Sequence, residues 1–151
     1  MNEEVNRLIN HIRWTLGDIN AASSEEPYAY AAVPLCVIDA VFSLGVRFES
    51  TRRTVCDWCE QHHWEICRWR ATEKRTTTDF IQILQPYELR FEEMAIEIFR
   101  NRQRTATRSG ILKAEAVYWF SMELQHFGVE TLDDALTCDV GTRTQLKLIE
   151  C

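Results

Sequence analysis

The sequence predicts an all-α protein, a bundle or barrel of about seven or eight short helices. Three observations predict it. Apolar residues recur at spacings of three and four through most of the chain, and period-two alternation never persists. Clusters of Gly, Pro, Ser, Thr and Asp punctuate the periodic segments. Of the 151 residues 46% are hydrophobic and 11% aromatic, enough apolar material for a core of its own.

The first helix is amphipathic over residues 4–19, where Val5, Leu8, Ile9, Ile12, Leu16 and Ile19 share one face. Gly17, Asp18 and the run AASSEEP close it, which separates an N-terminal helix over residues 1–22 from a helical domain over 30–151. VPLCVIDAVFSL, Val33 to Leu44, is apolar nearly all round, as a central helix should be, with Pro34 confined to its first turn. Within it Cys36 reads as a small buried hydrophobe. Gly45 and the polar stretch at Glu49–Ser50 bend the chain before a helix over about Ser50–Trp64. RWRATEKRTTT reads as a loop, with Thr77 or Thr78 as the N-cap of DFIQIL and Pro86 as its stop. YELRFEEMAIEIFRNR forms the next helix, burying Phe91, Met94, Ala95, Ile98 and Phe99. RQRTATRSG is a loop, followed by the longest helix over about Ile111–Phe127, which Gly128 ends. Thr131 caps the short TLDDAL helix, and a last helix begins within GTRTQLKLIEC.

Composition excludes several classes. Lys+Arg 17 against Asp+Glu 23 gives a net charge of −6, which no polybasic protein carries. No apolar run approaches the roughly 18 residues that a membrane span needs, so no membrane partner is expected. The acidic, mixed start MNEEVNRLINHIRW fits neither a signal nor a transit peptide, which points to the cytoplasm. The cysteines at 36, 56, 59, 67, 138 and 151 are therefore read as reduced thiols. CDWCEQHHWEIC brings Cys56, Cys59, His62, His63 and Cys67 into near zinc-ligand spacing. No Gly or Pro turns the chain back, however, and as one helix these positions spread over roughly 16 Å. One tetrahedral ion cannot span that, so no metal and no other cofactor is expected. No Gly-rich phosphate loop or nucleophile motif occurs either.

Basic residues cluster in one place. Arg100, Arg102, Arg104, Arg108 and Lys113 fall between Ile98 and Lys113 with no acid among them. Guanidinium forks bind phosphate oxygens, and a helix N-terminus just after the loop adds its dipole. Such contacts position a duplex without reading its sequence. Asp39, inside an apolar helix, must be paired or face a cavity; Arg47 and Glu49 follow it closely, so a salt-bridged network fixing the helix junction is one reading and a pocket carboxylate the other. Trp58, Trp64 and Trp69 read as core filling before base-stacking groups.

The order of PLCVIDAVFSLGVRFESTRRTV, TTDFIQIL and NRQRTATRSGILKAEAVYWFSMELQHFGVETLDDAL resembles the helix-hairpin-helix DNA glycosylase superfamily, the endonuclease III-like barrel and its relatives. The resemblance covers roughly residues 33–151. Leu35–Ser43 matches the family's first barrel element, Ser109–Ala114 the entry to its long helix, and Thr131–Leu136 the short acidic helix before the hairpin. Gln145–Cys151 matches the approach to the hairpin itself.

The resemblance implies duplex DNA as partner, with a base flipped from the stack into a pocket. It offers Ser43 and Asp39 as pocket candidates and Arg47 at the place of the family's wedging Gln, in Ser43-Leu44-Gly45-Val46-Arg47. The family's Gly-rich hairpin and catalytic Asp and Lys would follow Cys151, so no catalytic residue is assigned and the domain reads as incomplete at its C-terminus. The competing reading is a non-catalytic protein-interaction domain of the same fold.

Overall fold

A computed structural model of the chain describes residues 30–137, without the side chains of Trp69, Leu136 and Thr137. These residues are helical: α1 (Val33–Phe42), α2 (Phe48–His62), α3 (Thr77–Leu84), α4 (Phe91–Glu97), α5 (Lys113–His126) and α6 (Leu132–Thr137). Short 3-10 turns lie at Arg68–Arg70 and Gln85–Tyr87. Among the described residues extended chain meets only in two isolated bridges, Tyr30 with Cys67 and Arg104 with Leu112. The helices expected over residues 4–19 and 145–151 lie outside the described residues.

α1 packs against α2, α3 and α5, and α5 also packs against α4. Leu35, Ile38 and Phe42 turn inward at helical spacing and are fully buried. The opposite stripe, Cys36 and Ala40, is exposed, so α1 is not covered all round and Cys36 is not a core thiol. Trp58 of α2 anchors the other half of the core. Its ring meets Trp64 edge-on at 4.7 Å and Phe80 at 5.1 Å. Phe42 meets Phe99 at 5.4 Å. Burying an aromatic ring of this kind contributes about 2–3 kcal/mol relative to leaving it in water, and Trp58 and Trp64 are core residues as expected.

Several boundaries differ from the sequence reading, each for a local reason. α2 starts at Phe48, so Glu49–Ser50 lies in its first turn and the bend is made by Gly45 alone, at φ +68°. α2 stops at His62 because His63 enters the left-handed region at φ 56°, and Trp64 N–H returns to the Cys59 carbonyl. The chain therefore does turn between Cys59 and Cys67 without Gly or Pro. α4 is cut short at both ends, by Leu89 at φ 64° before it and Arg100 at φ 48° after it. The N-cap of α3 is Thr76, whose hydroxyl accepts from Asp79 N–H at 3.0 Å while Asp79 accepts from Thr76 N–H at 2.9 Å. Thr77 and Thr78 are engaged elsewhere: Thr77 Oγ1 donates to the Val129 carbonyl and Thr78 Oγ1 to Glu130. Gly128, at φ +72°, ends α5 as expected, and Thr131 with Asp134 caps α6.

Candidate nucleic-acid interface

The arginine segment leaves α4 and folds back on itself. Lys113 N–H donates to the Gln103 carbonyl at 2.8 Å and Thr105 N–H to the Ile111 carbonyl at 2.9 Å, closing a narrow stem. Arg104 Nη1 reaches the Gly110 carbonyl at 3.0 Å across the same stem. At the tip Gly110 comes so close to Ala106 that a Cβ would lie 2.1 Å from the Ala106 nitrogen. Only glycine fits there. Arg108 stands exposed at this tip.

The stem is fastened to α2. Asn101 Nδ2 donates to Thr54 Oγ1 at 3.0 Å, Gln103 Nε2 to Ser50 Oγ at 3.4 Å, and Gln103 N–H to Asn101 Oδ1 at 3.0 Å. Residues some fifty positions apart are thereby joined, and the arginine loop lies against the corner between α1 and α2. That corner carries Leu44 and Phe48, 52% and 66% exposed, and the exposed Arg47. Arg52 and Arg53, exposed on α2, add two cations that sequence reading did not single out; the dipeptide in the first half of a helix was their signal.

The arginines are not equivalent. Glu92 of α4 holds Arg102 at 3.0 Å and Arg104 at 3.3 Å, one carboxylate for two guanidinium groups. Neither Arg100 nor Arg108 has an ion-pair partner among the described residues. Lys113 drops out of the phosphate-binding set. It is 1% exposed, and its ammonium donates inward to the carbonyls of Phe42 at 3.0 Å and Leu44 at 2.7 Å and to Gln103 Oε1 at 3.0 Å. Burial pushes its pKa down from the ordinary lysine value. The start of α5 is equally unavailable, because Leu112, Lys113 and Ala114 are all buried.

Neither pocket candidate lines the cavity beside Arg68 and Asp133 or the one beside Cys56 and Cys67. Ser43 Oγ donates to the Ala40 carbonyl at 2.8 Å and terminates α1. Asp39 is half-buried and accepts from the Tyr30 hydroxyl, whose pKa burial and this carboxylate push up; its partner is neither Arg47 nor Glu49. A cavity of about 310 Å³ opens beside Arg68, Lys74, Arg75 and Thr131, and Asp133 there bridges Arg68 and Lys74.

Cys56, Cys59 and Cys67 line one open cavity with Trp64 and Arg70. Burial pushes the Cys59 thiol up to about 12. No group of three His, Cys, Asp or Glu side chains is placed to hold a metal ion among the described residues, and no helix among them is long and apolar enough to cross a membrane.

The sequence profile of one protein family, described as a domain of unknown function (DUF8548), matches residues 6–149. No curated protein and no solved structure matches the chain.

Proposed function

The chain belongs to the DUF8548 family, and from its geometry we propose that it binds duplex DNA in the manner of the helix-hairpin-helix glycosylases, with the arginine loop and the α1–α2 corner facing the phosphate backbone. One observation carries the reading: the loop segment with Arg100 and Arg108, neither ion-paired among the described residues, is hydrogen-bonded to α2, which is N-capped at Arg47 and bears Arg52 and Arg53. Two basic segments distant in sequence are thereby tied to each other, which supports a shared role along a phosphate backbone. Exposed Leu44 and Phe48 on the same corner supply apolar groups suited to pressing against an opened base step. The net charge of −6 does not oppose this, since binding needs one basic face and not a basic protein.

The test is duplex affinity as a function of salt. Wild-type chain is expected to bind a duplex at low salt with a log–log slope of about −0.9 per phosphate contact, and the double variant R100G/R108A to lose about 1.8 from that slope. Arg100→Gly also removes a non-glycine residue from the left-handed region, so the fold is not the casualty. No binding at low salt ends the proposal. A base analogue that brightens on unstacking, placed opposite an abasic site, reports whether the chain also opens the stack.

A second reading rests on Trp119 and Phe120, adjacent on α5 and 43% and 49% exposed. Large aromatic side chains left in water mark protein-binding surfaces, and this face would serve a non-catalytic interaction domain. W119A/F120A leaves duplex affinity unchanged if the DNA reading holds.

A further inference from the structure

Lys113 is the most completely buried cation among the described residues, and all of its acceptors are neutral. Three ammonium protons meet three acceptors. Two of these are the carbonyls of Phe42 and Leu44, at the end of α1, where the helix dipole leaves partial negative charge. The third is Gln103 Oε1 on the arginine loop, and the Lys113 backbone holds the same residue through the Gln103 carbonyl. The Phe42 ring lies beneath the ammonium at 5.9 Å from its centre. One side chain thus touches both halves of the basic surface and nothing else charged among the described residues.

The requirement for this is physical. Gly45, at φ +68°, sits in a turn where even an added Cβ would meet nothing within 4 Å. Contacts through Asn101–Thr54 and Gln103–Ser50 fix the loop to α2, but they do not hold Leu44 or the corner that follows it. Within the corner Leu44 N–H donates to the Val41 carbonyl and Val46 N–H to the Ser43 carbonyl, each at 3.4 Å, and the ammonium adds the tie from this corner to the loop. A neutral side-chain amide has two N–H donors; the ammonium has three and satisfies two carbonyls and a side-chain amide at once, with charge-assisted strength.

We propose that Lys113 is a positioning residue for nucleic-acid binding: it never touches the duplex, and it fixes the α1–α2 corner against the arginine loop so that both meet one backbone. This role rests on the duplex-binding reading. The test uses the full chain with Lys113→Met and, since that change can cost the fold, Gln103→Ala, which leaves the ammonium on its two carbonyls and releases the loop from both the ammonium and Ser50 Oγ. Ser50→Ala, which removes the Ser50 contact alone and is expected to keep the wild-type slope, separates the two. Duplex binding is measured against salt, and backbone amide exchange is followed in parallel. K113M and Q103A are both expected to lower the salt slope by about 0.9–1.8, the share of one or two phosphate contacts, although neither residue contacts phosphate. Amides around Val46–Ser50 and Gln103–Thr105 are expected to exchange faster together while α3 keeps its protection. A simple loss of stability would reduce the bound amplitude and leave the slope of the folded population unchanged.

If Q103A keeps the wild-type slope and exchange, the positioning role is overturned, and a slope lost in K113M alone would make Lys113 a direct contact. If the wild-type chain fails to bind any duplex, the DNA reading falls and takes this role with it.

Discussion

Glu130 caps α3 from 52 residues away: its carboxylate accepts from Thr78 N–H at 2.8 Å and from Thr78 Oγ1 at 2.7 Å. The Glu130 carbonyl accepts from Thr77 N–H at 3.0 Å, and Gln125 Nε2 donates to Thr78 Oγ1 at 2.7 Å. α3 therefore has two caps, one local through Thr76 and Asp79 and one delivered by the turn after α5. Removing the second in Glu130→Ala is expected to cost about 1–2 kcal/mol, since a charged hydrogen-bond acceptor at a helix start is lost. Thermal melting of the variant checks it, with an expected fall of about 2–8 °C for a chain of this size. An unchanged melting temperature would mean that the Thr76 cap suffices.

Lys113 gives a pH signature that its variant isolates. Its folded pKa lies below the ordinary 10.5 because burial disfavours the ammonium. The unfolded chain thus holds this proton more tightly, and stability rises with pH between the folded value and 10.5. The difference in urea stability between wild type and Lys113→Met is therefore expected to grow in favour of wild type as pH climbs through that window. Other alkaline titrations cancel in the difference. A flat difference would show that the lysine titrates normally.

His62 acts in the acid range. Burial first, and the neighbouring His63 second, hold its pKa below the ordinary 6.5, and its Nε2 has no hydrogen-bond partner among the described residues, beside the Trp58 ring at 4.6 Å. A lowered folded pKa means that the unfolded chain takes up the proton first, so its stabilisation is present above 6.5 and is lost as pH falls toward the folded value. His62→Phe keeps the ring contact and removes the proton. Its stability is expected to fall less than that of wild type between about pH 7 and pH 5, as followed by urea unfolding.

His63 ends α2 with a left-handed backbone at φ 56°, and its side chain is exposed. A β-carbon is disfavoured there and nothing in the packing repays it. His63→Gly is expected to stabilise the chain by up to about 1 kcal/mol, read from denaturant midpoints at constant slope.

The thiols should separate by reactivity. Cys59 is 2% exposed, and burial holds its pKa near 12. Cys56 and Cys67 flank the same cavity and are only half-buried. Timed alkylation of the native chain, read by mass spectrometry, is expected to label Cys56 and Cys67 well before Cys59. Equal rates would mean that α2 opens readily around its third turn.

The features legible from the order of residues are local. The buried Met94, Ala95, Ile98 and Phe99, the stop at Pro86, the glycine end of α5 and the Thr131 cap are each written within about one helical turn, where side chains three and four apart meet the same neighbours or the same backbone groups. Even the arginine loop was legible, since five basic residues without an acid mark a segment whatever the fold.

How those charges are used follows from the packed fold. Lys113 looked like one more cation, yet its acceptors sit 69 and 71 positions away at the end of α1. Arg102 and Arg104 are taken up by Glu92 on the preceding helix, which leaves Arg100 and Arg108 to the outside. Thr76 became the cap because Thr77 and Thr78 were claimed by the turn after α5. A charge or hydroxyl bonds to whatever polar group the packed chain brings within about 3 Å, and that group is fixed by helices meeting across the core, not by spacing along the sequence.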